Sequence, residues 1–169
     1  GKSELFDYLL KNNGQVIIND YDDIIKNFSK RFIDAIHLDG NSSIINVKLL
    51  ESTPKIKFQI NDGDIFVSDL FGDYNFQNIL FALVIGKYFK IDLKESSKIV
   101  SEYIPDNNRS ERIIYRSNCI ILDAYNANPT SMEKTVNAVL NFSHKNKVMI
   151  LGDMNELGKL SKAEHIKIG

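Results

Sequence analysis

Ile120-Ile121-Leu122-Asp123-Ala124-Tyr125-Asn126-Ala127-Asn128-Pro129-Thr130-Ser131-Met132 decides the fold class. A short apolar run with strand character breaks at Asp123 into a polar loop. The chain restarts as a helix at Pro129, with Asn128 as the expected cap and proline at the first position, where its missing N–H costs nothing. Apolar strand, polar elbow and helix start are how open α/β sheets present chemistry at the carboxyl ends of their strands.

Downstream, Met132, Val136, Val139 and Leu140 are spaced for the inner face of that helix. Lys147 to Leu151 reads as the next strand and Gly152 to Gly158 as a loop. Ser161 with Glu164 starts another helix in capping-box fashion. The last third is thus predicted to be β-α-β-α, with a right-handed crossover between parallel strands. Two parallel strands alone leave their faces uncovered, so the chain is expected to continue past Gly169.

Upstream, Asn118 to Leu122 and Arg112 to Tyr115 read as strands. Pro105-Asp106-Asn107-Asn108-Arg109-Ser110 has no apolar period and reads as a linker. A boundary there separates residues 1–106 from residues 107–169. In the first part, Leu5, Phe6, Leu9 and Leu10 predict a helix stopped by Asn12-Asn13-Gly14. A helix so close to Gly1 makes the start look like a cut. Gln15 to Ile18 and Ala35 to Leu38 read as strands, flanking a helix capped by Asp20 and running to about Lys30. Ser43 to Leu50, the alternating run Lys55 to Ile60 and the run Ile65 to Leu70 predict a β-meander with a hairpin at Asp62-Gly63. Gly72-Asp73-Tyr74-Asn75 opens the most apolar helix, Phe76 to Phe89, expected to be buried on most sides. Asp92 with Glu95 starts another, with Ile99, Val100 and Tyr103 as its inner stripe and Pro105 as its stop.

With 169 residues, 43% hydrophobic and 25% charged, the chain can bury a core, and its net charge of −1 carries no basic footprint for nucleic acid. The apolar run Ile79 to Ile85 is too short to span a bilayer, so no membrane insertion is expected. Cys119 is the only cysteine, which excludes an intrachain disulfide and a cysteine-based zinc site. It reads as an unreactive, buried thiol in a protein of a reducing compartment, the cytoplasm.

Asp123 and Asp153 each lie at or just past the end of a predicted parallel strand. If those strands are neighbours, both carboxylates share the ligand-binding edge. Asp123 could bind ribose hydroxyls or a metal, or could cap its own turn. Asn126 has no capping task and offers both donors and an acceptor. Asn75 reads as a helix cap. Asn78, one turn on, is expected to be buried and either to touch a ligand or to brace the backbone. Arg109 is placed to reach a phosphate in an interdomain cleft, or else points into solvent. His37, His144 and His165 have no metal-ligand spacing and read as surface or local structure. No G-x-S-x-G, H-E-x-x-H or G-x-x-x-x-G-K-[ST] occurs, so the chain has no phosphate-cradling loop of its own.

Asp-Ala-Tyr-Asn-Ala-Asn-Pro-Thr-Ser-Met at 123–132 and Leu-Gly-Asp-Met-Asn-Glu-Leu-Gly at 151–158 together resemble the Mur ligases. The likeness is greatest to the branch that adds D-alanyl-D-alanine to UDP-N-acetylmuramoyl-tripeptide. Gly-Asp-Tyr-Asn-Phe-Gln-Asn at 72–78 resembles the family's Gly-x-His-Asn-x-x-Asn segment, with Tyr74 in place of the usual His. Pro105 to Arg109 resembles its Pro-x-x-x-Arg segment. This resemblance implies an α/β fold. Residues 1–106 would be the later part of the family's central ATPase domain, with its β-meander. Residues 107–169 would be the start of its Rossmann-like, parallel α/β C-terminal domain.

The implied activity is ATP-dependent amide formation through an acyl phosphate, in peptidoglycan precursor synthesis. It implies ATP and Mg²⁺ as cofactors, the UDP-linked tripeptide and D-alanyl-D-alanine as partners, and a phosphate loop upstream of Gly1. On these residues it implies that Asn78 contacts adenine, Arg109 the phosphates and Asp123 the ribose. Tyr125, Asn126 and Asn128 would line the nucleotide or amine side. Lys2 resembles the lysine that the family carbamylates to hold a magnesium ion. Two other readings stand beside it. One is a folylpolyglutamate synthetase-like relative, against which Asn126 to Pro129 argues, because that branch usually carries His in this loop. The other is a non-catalytic nucleotide-binding module.

Overall fold

The computed structural model describes residues 3–38, 44–106 and 108–169. Lys2, the expected magnesium-holding residue, and Asp39-Gly40-Asn41, expected as a loop after the strand Ala35 to Leu38, lie outside them. Helix α1 (Ser3–Lys11) is amphipathic and lays Phe6 against Phe28 at 5.1 Å between ring centroids. Strands β1 (Ile17–Ile18) and β2 (Ile36–His37) pair parallel, with Ile17 opposite Ile36. Between them runs α2 (Asp23–Ser29). Its cap is Asp22, not the expected Asp20. Asp22 has the extended backbone of an N-cap, and its carboxylate accepts from the N–H groups of Ile24 and Ile25. Asp20 lies too far upstream to reach them and pairs with His37 Nδ1 at 2.7 Å.

Strands β3 (Val47–Glu51), β4 (Ile56–Ile60) and β5 (Ile65–Ser68) form the predicted antiparallel meander. β4 alternates as expected, with Ile56, Phe58 and Ile60 buried and Lys57 and Gln59 half-buried. The hairpin turn takes positive φ at Asn61 (49°) and Asp62 (54°), not at Gly63. Asn and Asp tolerate that region, so the left-handed residues precede the glycine on which the turn was expected to depend.

Helix α3 (Asp73–Tyr88) packs Phe76, Ile79, Leu80, Leu83 and Val84 onto the meander. It is not buried on most sides: Ile85 and Tyr88 are exposed. Helix α4 (Leu93–Ser101) is capped by Asp92 as expected. Its buried residues, however, are Leu93, Ser96 and Ser97, while Ile99 and Tyr103 face solvent and Val100 packs partly against the core. Close approach explains the difference. A Cβ on Gly86 of α3 would meet Ser96 Cβ at 3.4 Å, so the helices touch through small residues and the larger ones turn outward.

Beyond the linker, β6 (Glu111–Tyr115) and β7 (Asn118–Leu122) form an antiparallel hairpin. Helix α5 (Pro129–Leu140) starts in a full capping box between Asn128 and Ser131. It buries Ala138, with Val139 half-buried and the expected inner residue Leu140 exposed. Ala138 and Phe142 enclose Phe71, from just before α3, in a second, smaller cluster. Lys147 to Leu151, expected as a strand parallel to β7, pairs with nothing among the described residues. An extended segment needs a neighbour to take its backbone hydrogen bonds, and the described residues present none. A 3₁₀ turn (Gly158–Leu160) then leads into α6 (Ser161–Ile168), whose first residue is Ser161 itself, with no side-chain cap. Cys119 is half-buried and its Sγ accepts from Arg112 Nε at 3.4 Å. The architecture is mixed α/β. No helix among the described residues is long and apolar enough to cross a membrane.

Candidate functional site

β7 delivers Asp123 at its carboxyl end, and the linker folds back onto it. The N–H groups of Ala124 and Tyr125 both donate to Asn108 O, at 2.8 and 3.1 Å. Asn108 and Ser110 sit at φ 57° and 54°, a left-handed backbone that costs roughly 1 kcal/mol or more at a residue other than glycine. That strain turns the Ser110 N–H onto Asp123 Oδ1, at 3.0 Å. Asp123 Oδ2 accepts from Thr135 Oγ1 of α5 at 2.9 Å. Asp123 therefore does more than cap its own turn: it ties the linker to α5.

Ser110 is buried, and its hydroxyl faces the first turn of α3. Asn75 Nδ2 donates to Ser110 Oγ at 3.1 Å and to Phe71 O at 3.0 Å. Tyr74 OH lies 3.1 Å from the same Ser110 Oγ. Asn78 Nδ2 donates to Asn75 Oδ1 at 3.1 Å. The two asparagines thus exchange their expected parts. Asn75 is the buried brace rather than the cap, because Gly72 occupies the cap position at φ 83°. Asn78 is exposed, with one of its amide protons held and the rest of its polar group facing outward. Gly72 is required here: a Cβ would sit 2.7 Å from Tyr74 Cε1.

Burial raises the Tyr74 pKa above its ordinary value, hydrogen bonding to Ser110 draws it partly back, and the nearby Asp123 charge raises it again. The phenol is neutral at physiological pH and can both donate and accept. Arg109 lays its guanidinium on the Tyr125 ring, Cζ 3.7 Å from the centroid. Asn78 and Asp123 are thus joined across the linker through Asn75 and Ser110, and Arg109 and Tyr125 are joined to each other. Asn126 and Asn128 are not built into this network. Asn126 Oδ1 accepts from Ala127 N at 2.9 Å, and Asn128 serves its helix. Ser110, Tyr74, Asn75 and Thr135 were missed as site residues. Tyr74 alone carried a signal, as the departure from the expected His.

Asp153 does not join Asp123 on a sheet edge, since the strand meant to carry it does not form. Its side chain is exposed, 3.8 Å from His165 Nε2. His165 fastens the 151–158 loop: its Nε2 accepts from Met154 N at 3.0 Å, and its Nδ1 lies 2.7 Å from Ser161 O. Among the described residues, no group of three His, Cys, Asp or Glu side chains could hold a metal ion.

Residues 108–169 match the family described as Mur ligase, glutamate ligase domain. Over that stretch the chain is similar to the Mur ligases. It is 35% identical over 106 residues to the UDP-N-acetylmuramoyl-tripeptide–D-alanyl-D-alanine ligase of Bacillus subtilis, covering 62% of this chain and 23% of that one. It is 28% identical over 177 residues to the ligase of the same name from Rickettsia prowazekii, covering 97% and 38%. The chain thus spans well under half the length of either relative. A crystal structure of MurF from Acinetobacter baumannii superposes with a TM-score of 0.71 at 24% identity, over 92% of this chain and 35% of that one. MurF from Thermotoga maritima, solved in complex with ADP, superposes at 0.69 with 19% identity, over 92% and 37%. These likenesses establish the fold.

Proposed function

We propose that the chain forms the closing half of the nucleotide site in an ATP-dependent ligase. That ligase joins D-alanyl-D-alanine to UDP-N-acetylmuramoyl-tripeptide in the cytoplasm, for peptidoglycan precursor synthesis. One observation carries the reading. A single hydrogen-bonded path, Asn78–Asn75–Ser110–Asp123, brings the adenine-type asparagine and the ribose-type aspartate together across the linker. The curated relatives carry that ligase name.

Residues 1–106 then belong to a central ATPase domain and residues 107–169 to a C-terminal domain. The family match beginning at residue 108 supports that division. The remaining polypeptide supplies the phosphate loop, the peptide-binding surface and the strands beside Lys147 to Leu151.

The donor set suits a nucleotide. Each Asp123 oxygen has spent one acceptor direction on the protein and keeps another for a ribose hydroxyl. Asn78 offers an amide to the adenine edge. Arg109, stacked on Tyr125, swings from the ring to the phosphates, where its fork matches paired oxygens. Its positive charge neutralises what develops on the transferred phosphoryl group, and closing the cleft keeps water from the acyl phosphate. Mg²⁺ would supply further charge neutralisation. The residue of this chain expected to hold it, Lys2 as a carbamate, lies outside the described residues, and no step here is assigned to it.

The test is ADP release by the full-length polypeptide with ATP, the UDP-linked tripeptide and D-alanyl-D-alanine. ADP should form only with both substrates present, and Asp123→Ala should raise the KM for ATP about tenfold or more. The 169-residue chain alone should make none. Amide formation with a folate and glutamate instead would transfer the chain to the other branch. Nucleotide binding without turnover by the full-length polypeptide would make it a binding module.

A further inference from the structure

We propose that the cavity between the start of α3 and α5 binds a small zwitterion, an amino acid or short dipeptide with a free ammonium and a free carboxylate. The ligand would bridge the two parts of the chain. The proposal stands on the cavity alone and goes beyond the nucleotide reading. None of the residues assigned to the ligand lies on the Asn78–Asn75–Ser110–Asp123 path.

The cavity holds about 210 Å³. That is room for about seven water molecules, below the roughly 300–1,000 Å³ of sites for drug-sized ligands. It fits an amino acid or a dipeptide of small residues. Its walls come from both sides of the linker. Asp73 and Gln77 of α3 stand on one side, and Lys134, Asn137 and Asn141 on the other. The last three recur at spacings of three and four, so they form one stripe along α5 and its C-cap. The same stripe carries Ala138, which packs against Phe71. A Cβ on Gly72 would meet Ala138 Cβ at 3.4 Å. The start of α3 and the stripe of α5 therefore touch beside the cavity, and its two walls are held to each other.

The chemistry of the lining selects the ligand. It offers one cation, Lys134, and one anion, Asp73, and neither makes an ion pair among the described residues. Gln77, Asn137 and Asn141 make no side-chain hydrogen bond there either. Asn75, Asn78, Asn126 and Asn128, by contrast, all use their side chains within the protein. A polyphosphate would need several cations and would be repelled by Asp73. An apolar ligand would leave both charges and three amides unmatched. A small zwitterion satisfies the set: Lys134 takes its carboxylate and Asp73 its ammonium. The amides, each both donor and acceptor, match a peptide group between the two ends. Asp73, Lys134, Asn137 and Asn141 are exposed and Gln77 is half-buried. The ligand therefore enters from solvent, and each charged contact has the modest weight of a screened surface pair. Because it touches both parts of the chain, it binds them in this juxtaposition and favours it.

The experiment titrates the full-length polypeptide, without nucleotide, with glycylglycine and with D-alanyl-D-alanine, using saturation-transfer NMR. Each dipeptide is compared with its N-acetyl derivative and its carboxamide. Both free dipeptides should bind, more weakly in high salt, and blocking either end should weaken binding about fivefold. Asp73→Asn should abolish the preference for the free ammonium and keep that for the free carboxylate. Lys134→Gln should do the reverse, a split that a merely structural role would not produce. Lys134 is an exposed residue of α5, so its variant carries the test alone if Asp73→Asn, in the first turn of α3, does not fold. Absence of binding by the parent overturns the proposal. So does binding whose end preferences are the same in parent and variants, which would seat the dipeptide elsewhere, such as at the amine site of the proposed ligase. Failure to form ADP with the ligase substrates would strike the ligase reading and leave every one of these binding outcomes as stated, so the two readings fail separately.

Discussion

Ile56, Phe58 and Ile60 of β4 are 0%, 0% and 3% exposed, whereas Val148 and Ile150 are 87% and 95% exposed. Both segments are short apolar runs written for strands. The first lies between β3 and β5 with α3 across its face, and its apolar side chains and backbone groups all find partners within the described residues. Among the described residues the second has no strand beside it and no layer over it. The contrast teaches that strand propensity is a conditional property. An apolar run becomes a strand when neighbours take its N–H and C=O groups and cover its faces. The chain before the linker meets the chain after it through a seam of the Ser110 bracket, the small cluster around Phe71 and the Asp69–Arg112 ion pair.

The largest effect should come from the closed side. Phe58→Ala removes a fully buried ring and should cost about 3–5 kcal/mol in urea unfolding, enough to threaten the fold of the whole chain. A loss below about 1 kcal/mol would mean that the meander is not the stabilising core.

Next comes the seam. Asn75→Ala leaves Ser110 and the Phe71 carbonyl without their buried donor and should cost about 1–3 kcal/mol. It should also speed amide exchange at Ser110 more than within β4. Uniform acceleration would show that the two regions unfold as one unit and that the seam is not a separate weak point.

A smaller effect belongs to Asp69, which bonds Lys55 Nζ at 2.5 Å and reaches Arg112 of β6 at 3.4 Å. The Lys55 hydrogen bond, against some desolvation, holds the Asp69 pKa below the usual aspartate value. A lowered folded pKa means stability that is present above the unfolded value, near 4, and lost as pH falls through the folded one. Asp69 is 44% exposed, so its contribution is that of a screened surface pair, under about 1 kcal/mol. The gap in unfolding midpoint between the parent and Asp69→Asn should close below pH 4 and narrow in high salt. A gap that persists at pH 2 would mean that Asp69 acts through packing or neutral hydrogen bonds.

The smallest effect should come from the open side. Ile150→Ala in the 169-residue chain should change stability by no more than about 0.5 kcal/mol, as at an ordinary surface position. In the full-length polypeptide, where neighbouring strands are proposed to cover it, the same change should cost about 2–5 kcal/mol. Equal small effects in both would remove the case for a covering layer.

Local features were the legible ones. The alternation of Ile56 to Ile60, the cap at Asn128 with Pro129, and Asp123 at a strand end all appear as read, because each depends on residues a few positions apart. Ser110 could not be read, because its importance arises from a left-handed backbone and from partners 13 and 35 positions away. Nothing local distinguishes Asn75 from Asn78; the direction each takes from α3 makes one a brace and leaves the other facing outward.

The amino-acid sequence alone determined the α/β class, the meander and the helix starts at Asp92 and Asn128, since periodicity and capping are short-range properties written into neighbouring side chains. Only the tertiary structure decided that Lys147 to Leu151 has no partner strand among the described residues, that α4 meets α3 at Ser96, and that Ser110 and Thr135 converge on Asp123. Those outcomes depend on which surfaces meet. A strand's partner, a helix's close face and a carboxylate's donors come from distant parts of the chain, so no local pattern encodes them.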